Sequence, residues 1–520
     1  RQIALTIKEK DLSDTSKTKT RNPYVIDRYH FKQDYVGYLD RRTSHLYLMN
    51  LENDRLDTLT KGVYNESEPV WSPDGSLIAF VSNQAEDPDK NENSDIYVTP
   101  AKPGGTIRKL TSWPGSDANP QWSPDGKWIA YVQSSSKENF TMYGQPLLAI
   151  VPVNGGDPIL VSEKIDRPVF NPQWSKDGKT IYALEEDDRQ SNIISFNVKE
   201  HSIKDILKGN RDVMRIEYNN AGDQLSALIS DPQTPGELYA IESNKVRRLT
   251  HVQDSFLAPL HLANVQGFTS ISKDGTKVSG ILYTPAEGPK QHLPLILFIH
   301  GGPVSQDSYR FDLDRQMYAA AGFAVAAVNY RGSNGRGVEY IRAIYGDWGH
   351  KEVMDIIGVA DYLVKEGIAD ENKMGIAGWS YGGISTNYTI ATDSRFKAAV
   401  SGAGSSLQLS MYGVDQYITQ YENEIGSPWK NQDKWIQISY PFFHADKIKT
   451  PTLFMASQND FNVPVAGAEQ MYQALKSLGI PTALVIYPSQ NHGLSVPGYI
   501  KDRFERHIKW FNKYLNNKEL

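Results

Sequence analysis

The sequence predicts a two-part fold, a repeat-built all-β array followed by a mainly parallel, doubly wound α/β sheet. Three observations carry this. A unit bearing tryptophan and a Pro-Asp-Gly turn recurs through the first half, and apolar strand-length runs alternate with helix-length stretches through the second. Between one such run and one such stretch sits Gly378-Trp379-Ser380-Tyr381-Gly382. At 520 residues the chain is too long for one ordinary core, so two or more domains are expected.

The repeat reads Glu68-Pro69-Val70-Trp71-Ser72-Pro73-Asp74-Gly75, then Asn119-Pro120-Gln121-Trp122-Ser123-Pro124-Asp125-Gly126, then Asn171-Pro172-Gln173-Trp174-Ser175-Lys176-Asp177-Gly178, each followed by an apolar strand. A degenerate fourth copy runs from Ile216 to Leu228. Successive spacings of 51, 52 and 44 residues suit the blades of a β-propeller of the TolB or WD40-like kind. Proline fixes one φ of each turn and glycine permits the other, so the chain reverses into a hairpin. The aspartates are therefore read as turn formers rather than calcium ligands, and the tryptophans as packing residues. His45–Asn50 reads as an outer strand of an earlier blade, but Arg1 to Asp34 offers no clear blade opening. About 250 residues at about 45–50 per blade make roughly five blades. The first domain is placed at 1–257, and the chain is expected to be an N-terminally shortened form.

From residue 258 to 520 the alternation is that of a parallel sheet with helices on both faces. Strands are predicted at 294–299, 323–328, 374–378, 397–401, 452–456 and 482–487, and helices at 350–365, 383–392, 465–478 and 498–515. Gly378–Gly382 then falls at a strand–turn–helix junction, the context of the G-x-S-x-G nucleophile elbow of α/β-hydrolases. A serine hydroxyl is a poor nucleophile alone and needs a base, which in turn needs an orienting acid. In this fold the chain order is Ser, Asp or Glu, His. His492 follows the strand at 482–487 and Asp460 follows the strand at 452–456, so Ser380, Asp460 and His492 form the predicted triad. Asp446 is the runner-up acid, but it precedes its strand. His444 reads as structural, and His507 lies within the last helical pattern. Two donors must face the developing oxyanion. One is the backbone N–H of Tyr381. The other comes from His300-Gly301-Gly302-Pro303, which follows an apolar strand 80 residues earlier, with Gly302 favoured over Gly301.

A net charge of −6 argues against nucleic acid or anionic membranes as partners. No apolar run reaches the ~18–20 residues that span a bilayer. The absence of cysteine excludes disulfides, thiolate metal sites and cysteine nucleophiles. No cofactor and no metal is called for. The N-terminus carries neither a signal-peptide pattern nor an initiator methionine, so a cytoplasmic location and a periplasmic or secreted one after loss of an upstream segment both stay open, as does homo-oligomerisation.

Together, His300-Gly301-Gly302-Pro303, Asn329-Tyr330-Arg331-Gly332-Ser333-Asn334-Gly335, Gly378–Gly383, Asp460-Phe461-Asn462-Val463-Pro464 and Asn491-His492-Gly493 resemble the prolyl oligopeptidase family of serine peptidases. The likeness is nearest to its acylaminoacyl-peptidase and dipeptidyl-peptidase branches. The resemblance implies an α/β-hydrolase domain preceded by a β-propeller that caps the site, and short peptides as substrates. Many relatives carry arginine two residues after the catalytic aspartate, to hold a substrate carbonyl. Asn462 stands there in this chain and donates without charge and with shorter reach. That tilts the expectation toward a dipeptidyl- or aminopeptidase preference. The pocket for the substrate side chain is expected from Val463, Leu407, Met411 and Tyr412, favouring an apolar residue. The leading expectation is thus a serine exopeptidase. An esterase or amidase of the same fold is the alternative within the class, and a propeller-based binding protein with an inactive hydrolase domain the alternative outside it.

Overall fold

The computed structural model describes residues 2–9, 23–137, 140–219, 223–242 and 245–518. The first half is a run of mainly antiparallel sheets, made from consecutive strands except in the first, where the small hairpin Lys32–Gln33/Gly37–Tyr38 intervenes. A three-stranded sheet joins Gln2–Lys8, Ser44–Asn50 and Leu56–Thr58. Four-stranded sheets follow over 66–109 and 117–160. Strands from Val169 to Arg248 make two further groups of four, linked through the parallel pair Ser191–Asp212. Consecutive sheets pack face to face. Ala79, Val81 and Ile96 of one share a core with Trp122, Ile129, Tyr131 and Val151 of the next, which is why the inner strands are buried on both faces.

The repeat motif does two jobs. In its turns Ser72, Ser123 and Ser175 donate to Asp74, Asp125 and Asp177 at 2.6, 2.7 and 2.8 Å. Each serine oxygen also accepts the N–H that opens the returning strand. The Trp122 and Trp174 indoles donate to Val70 O and Gln121 O of the preceding sheet, at 3.0 and 3.1 Å, so each tryptophan ties its sheet to its neighbour. The turn of the fourth copy, at 220–222, lies outside the described residues, as do Arg1 and residues 10–22. Within Arg1 to Asp34, where the sequence offers no clear blade opening, the structure places a strand. Gln2–Lys8 pairs antiparallel with Ser44–Asn50 along its whole length. Its signal is the alternation Ile3, Leu5, Ile7, separated from its partner by a long polar stretch.

The second half is one eight-stranded sheet: β1 (Asn264–Ile271), β2 (Lys277–Thr284), β3 (Leu293–Ile299), β4 (Ala324–Asn329), β5 (Ala369–Trp379), β6 (Ala398–Gly402), β7 (Thr452–Ser457) and β8 (Thr482–Tyr487). Their order is β1-β2-β4-β3-β5-β6-β7-β8, with β1 and β2 antiparallel to their neighbours and the rest parallel. The helices packed on this sheet include α1 (Leu313–Ala320), α2 (Lys351–Lys365), α3 (Tyr381–Thr392), α4 (Val465–Ser477) and α5 (Pro497–Leu515). The central strands send alternate residues into two cores. Leu295, Leu297 and Ile299 of β3 join one with α2, α3 and α4, while Ile296 joins the other with α1 and α5. This two-sided burial is the reason the strands read as unbroken apolar runs. α1 is a helix outside the predicted set. It is capped by Asp312, which accepts the Arg315 N–H at 2.9 Å. Between β6 and β7 the chain forms only short helical turns, among them a π-turn at Tyr421–Ile425. Among the described residues no helix is long and apolar enough to cross a membrane.

Candidate active site

β5 ends at Trp379 and α3 begins at Tyr381, leaving Ser380 alone in the turn at φ 62°, ψ −130°. A non-glycine residue in that region is strained, and the surroundings hold it there. The flanking glycines show how. A Cβ on Gly382 would lie 2.0 Å from Ile299 O, and one on Gly378 2.3 Å from the Gly382 carbonyl. Strand, turn and helix pass too close for any side chain at either position. The Ser380 N–H donates to Gly402 O of β6 at 3.0 Å, which pins the turn above the sheet. The Ser380 hydroxyl takes part in no hydrogen bond among the described residues and lies beside Gly301.

Asp460 and His492 leave the adjacent ends of β7 and β8. His492 Nδ1 pairs with Asp460 Oδ2 at 2.7 Å. Asp460 Oδ1 accepts the N–H groups of Asn462 and Val463, both at 2.8 Å. Burial pushes the Asp460 carboxyl upward, and the histidine hydrogen bond opposes that shift. With Nδ1 committed to the carboxylate, Nε2 is the ring nitrogen left to exchange a proton. His492 is tied to the elbow through Trp379, whose indole donates to His492 O at 2.9 Å and whose ring lies 6.4 Å from the imidazole. No hydrogen bond joins Ser380 to His492 here. In unliganded enzymes such contacts are often long and tighten only with substrate bound. Asp446 sits exposed in a 3₁₀ turn ahead of β7, and His507 is buried against Tyr318, whose hydroxyl it meets at 2.7 Å.

Two backbone segments flank the serine, the start of α3 and the Gly301–Gly302 turn. Tyr381 is the first residue of α3, where a helix N–H has no partner within its own helix. The Gly301–Gly302 turn packs on Ser380, and Gly302 adopts φ 127°, which a side chain would resist. His300 anchors this turn, with Nδ1 2.7 Å from Gly301 O, Nε2 2.8 Å from Ser333 Oγ, and its ring stacked on Tyr330 at 4.5 Å. The 329–335 motif is thus a brace. Asn329 exchanges two hydrogen bonds with the Asp307 backbone, and Arg331 forks onto the buried Asp355 at 2.7 and 3.0 Å.

Tyr381 is itself locked by a residue that sequence reasoning missed. Its hydroxyl donates to Glu352 Oε1 at 2.8 Å, and the same oxygen accepts the Gly349 N–H at 2.6 Å. Glu352 Oε2 is buried without a partner, and burial pushes this carboxyl up to about 7 from an ordinary 4.5. A carboxyl raised by folding stabilises the native state below its unfolded value, and that contribution is lost as pH rises toward the native value. Glu352→Gln, a neutral isostere, is therefore expected to match or fall below the wild type in thermal stability at pH 5. At pH 8 it is expected to exceed it, by on the order of 2–3 kcal/mol. Calorimetry at the two pH values checks this, and an equal difference at both would contradict it.

A small cavity of about 40 Å³ opens beside Ser380, Tyr381 and Gly302. Its walls include Trp348, Ile384, Tyr421 and Val463, with Asn462 and Tyr417 at one side and Met142 from the first half. Asn462 Oδ1 accepts the Tyr417 hydroxyl at 2.8 Å, so the amide's remaining capacity is the donor capacity of its NH₂. Of the expected pocket residues, Val463 and Asn462 line this cavity. Leu407, Met411 and Tyr412 do not. Met411 is 1 % exposed in the main core, and Tyr412 stacks on Tyr421 and meets Trp435 edge to face while its hydroxyl bonds Glu422. The wall comes instead from the irregular 417–421 stretch and from Trp348, neither of which has a periodic pattern to read. Glu424 fastens that stretch to the first half, accepting from Gln420 at 2.8 Å, Gly346 N–H at 2.8 Å and the Tyr143 hydroxyl at 3.0 Å.

The sequence profile of the prolyl oligopeptidase family matches residues 309–518. The uncharacterized peptidase YuxL of Bacillus subtilis is 28% identical over 527 residues, covering 97% of this chain and 80% of that protein. Dipeptidyl-peptidase 5 of Porphyromonas gingivalis is 27% identical over 459 residues, covering 86% of this chain and 66% of that protein. Among solved structures, the acylaminoacyl peptidase of Pyrococcus horikoshii superposes with a TM-score of 0.85 at 22% identity. The superposition covers 100% of this chain and 80% of that one, a likeness of fold. The Ser380 elbow and the Asp460 and His492 loops all lie within the stretch that matches the prolyl oligopeptidase family, and the His-Gly-Gly turn lies just ahead of it.

Proposed function

We propose that the chain is a serine peptidase that hydrolyses short peptides through an acyl-enzyme, as an exopeptidase of the dipeptidyl-, aminoacyl- or acylaminoacyl-peptidase kind. The observation that carries this reading is the 2.7 Å Asp460–His492 pair beside a serine held in a strained elbow. Ser380 Oγ attacks the scissile carbonyl while His492 Nε2 takes its proton. The oxyanion is met by the Tyr381 N–H and by that of Gly302, with Gly301 as its neighbour in the same turn. His492 then returns the proton to the leaving amine, and water repeats the sequence on the acyl-enzyme. Asp460 holds the imidazole tautomer and stabilises the imidazolium. Asn462 donates its NH₂ to a substrate carbonyl, and the aromatic and aliphatic wall of the cavity accepts an apolar side chain.

In this reading the stacked antiparallel sheets up to about residue 257 are propeller blades, and the catalytic domain is 258–520. The first half then shields the site through contacts such as Met142 and Tyr143–Glu424, admitting peptides and excluding folded proteins by size. The relatives named as dipeptidyl-peptidases and acylaminoacyl peptidases support the exopeptidase preference. An esterase or amidase would use the same machinery, since the triad alone does not choose the leaving atom. A binding role with an inert hydrolase domain sits poorly with an intact acid–base pair. Turnover of a panel of aminoacyl, dipeptidyl and N-acyl chromogenic amides, alongside simple esters, tests the proposal. Amide cleavage with apolar residues next to the scissile bond is expected. Ester cleavage with no amide turnover would overturn it.

A further inference from the structure

We propose that Asp34 is a positioning residue for the acid and the base, its single carboxylate holding the backbone of both loops in register. It lies at the tip of a hairpin in which Lys32–Gln33 pairs with Gly37–Tyr38, and it is 7 % exposed. Asp34 Oδ1 accepts the N–H of Phe461, next to Asp460, at 3.1 Å. Asp34 Oδ2 accepts the N–H of His492 itself at 2.9 Å. This role rests on those proposed for Asp460 and His492 in the catalytic reaction.

Geometry assigns it. The β7–β8 ladder ends at Ser457–Tyr487, and the two loops then continue toward the site with the Asn459 N–H bonded to Gln490 O at 2.8 Å. Beyond that point Asp34 supplies the crosslink that a strand pair would otherwise give. The hairpin is fixed well enough to act as a clamp. The Asp34 N–H donates to Gln416 Oε1 at 2.7 Å, and Lys32 Nζ donates to Val414 O at 2.9 Å. The Tyr35 hydroxyl accepts the Gly493 N–H at 3.0 Å, and the Tyr38 ring lies 5.5 Å from that of Phe461. A carboxylate suits the task because both of its oxygens accept and its charge strengthens both bonds. An amide has one oxygen, and its NH₂ would oppose the second N–H. Asp34→Asn therefore keeps one loop and releases the other, while Asp34→Ala releases both.

The test is steady-state kinetics on a chromogenic peptide amide cleaved by the wild type, using Asp34→Ala, Asp34→Asn, His492→Ala and the Asp34→Ala/His492→Ala double variant. Fluorophosphonate labelling rates and amide hydrogen exchange over 458–464 and 489–495 are followed in parallel. Misplacing a base by about 1 Å can cost on the order of 100-fold. Asp34→Ala is expected to lower kcat by roughly that factor with KM within about threefold, and Asp34→Asn to fall by roughly 10-fold. Labelling should slow in proportion, and exchange should quicken in both segments. In the His492→Ala background Asp34→Ala should cost nothing further, because the group it positions is gone. A wild-type kcat in both Asp34 variants with His492→Ala inactive would overturn the inference alone. So would the same loss in the presence and absence of His492, which marks a merely structural contact. Full activity in His492→Ala would overturn the assignment of the base, and the inference with it. Asp34→Asn carries the test if the alanine variant does not fold.

Discussion

Ser380→Ala is expected to lower kcat by on the order of a millionfold while leaving fold and substrate binding intact. The size reflects the loss of the attacking atom, after which only the backbone donors and bound-state geometry remain to assist water. The selectivity reflects the environment of the side chain. The Ser380 hydroxyl forms no hydrogen bond among the described residues, so its removal leaves no buried group without a partner. The backbone bonds that hold the elbow, Ser380 N–H to Gly402 O and Ile384 N–H to Ser380 O, are both 3.0 Å and do not depend on the side chain. Thermal unfolding of the variant should track the wild type. A variant that keeps even a hundredth of the activity would point to another nucleophile.

Asp460→Asn is the second large effect, expected to cost about 10⁴-fold in kcat with little change in KM. The substituted oxygen can still accept from the Asn462 and Val463 N–H groups, so the loop keeps its shape. The amide NH₂, however, would stand 2.7 Å from His492 Nδ1, where the carboxylate oxygen now is. That forces Nδ1 to accept and Nε2 to carry the proton. An imidazole in that tautomer has no lone pair for the serine proton and loses the negative charge that stabilises its protonated form. Kinetics at saturating and limiting peptide separate this from a binding defect. An equal rise in KM with kcat unchanged would contradict it.

The reach and the limits of the sequence depend on the kind of signal each residue gives. The strands of the second half are readable because burial on both faces leaves runs such as Leu295–Ile299 with no polar interruption. The Ser380 elbow, the Asp460 loop and the His492 loop are readable because the parallel sheet puts the ends of β5, β7 and β8 on one edge. The cavity wall is not. Tyr417, Gln420 and Tyr421 lie on short turns between β6 and β7, where no period links position to exposure, and Met411 and Tyr412 have only proximity in sequence to recommend them. Glu352 reads as an ordinary acidic residue in the first turn of α2, and only the fold shows it fully buried under Tyr381. Asp34 is more than 400 residues from the loops it holds, in a segment too short and polar to announce any partner.

The central claim is that Asp460 and His492 activate Ser380. Fluorophosphonate treatment of the full chain, followed by intact mass and peptide mapping, tests it most directly. One adduct per chain is expected, on the peptide carrying Gly378–Gly383, with labelling abolished in Ser380→Ala and strongly slowed in His492→Ala. No adduct on the wild type, or an adduct that persists in Ser380→Ala, would contradict the account.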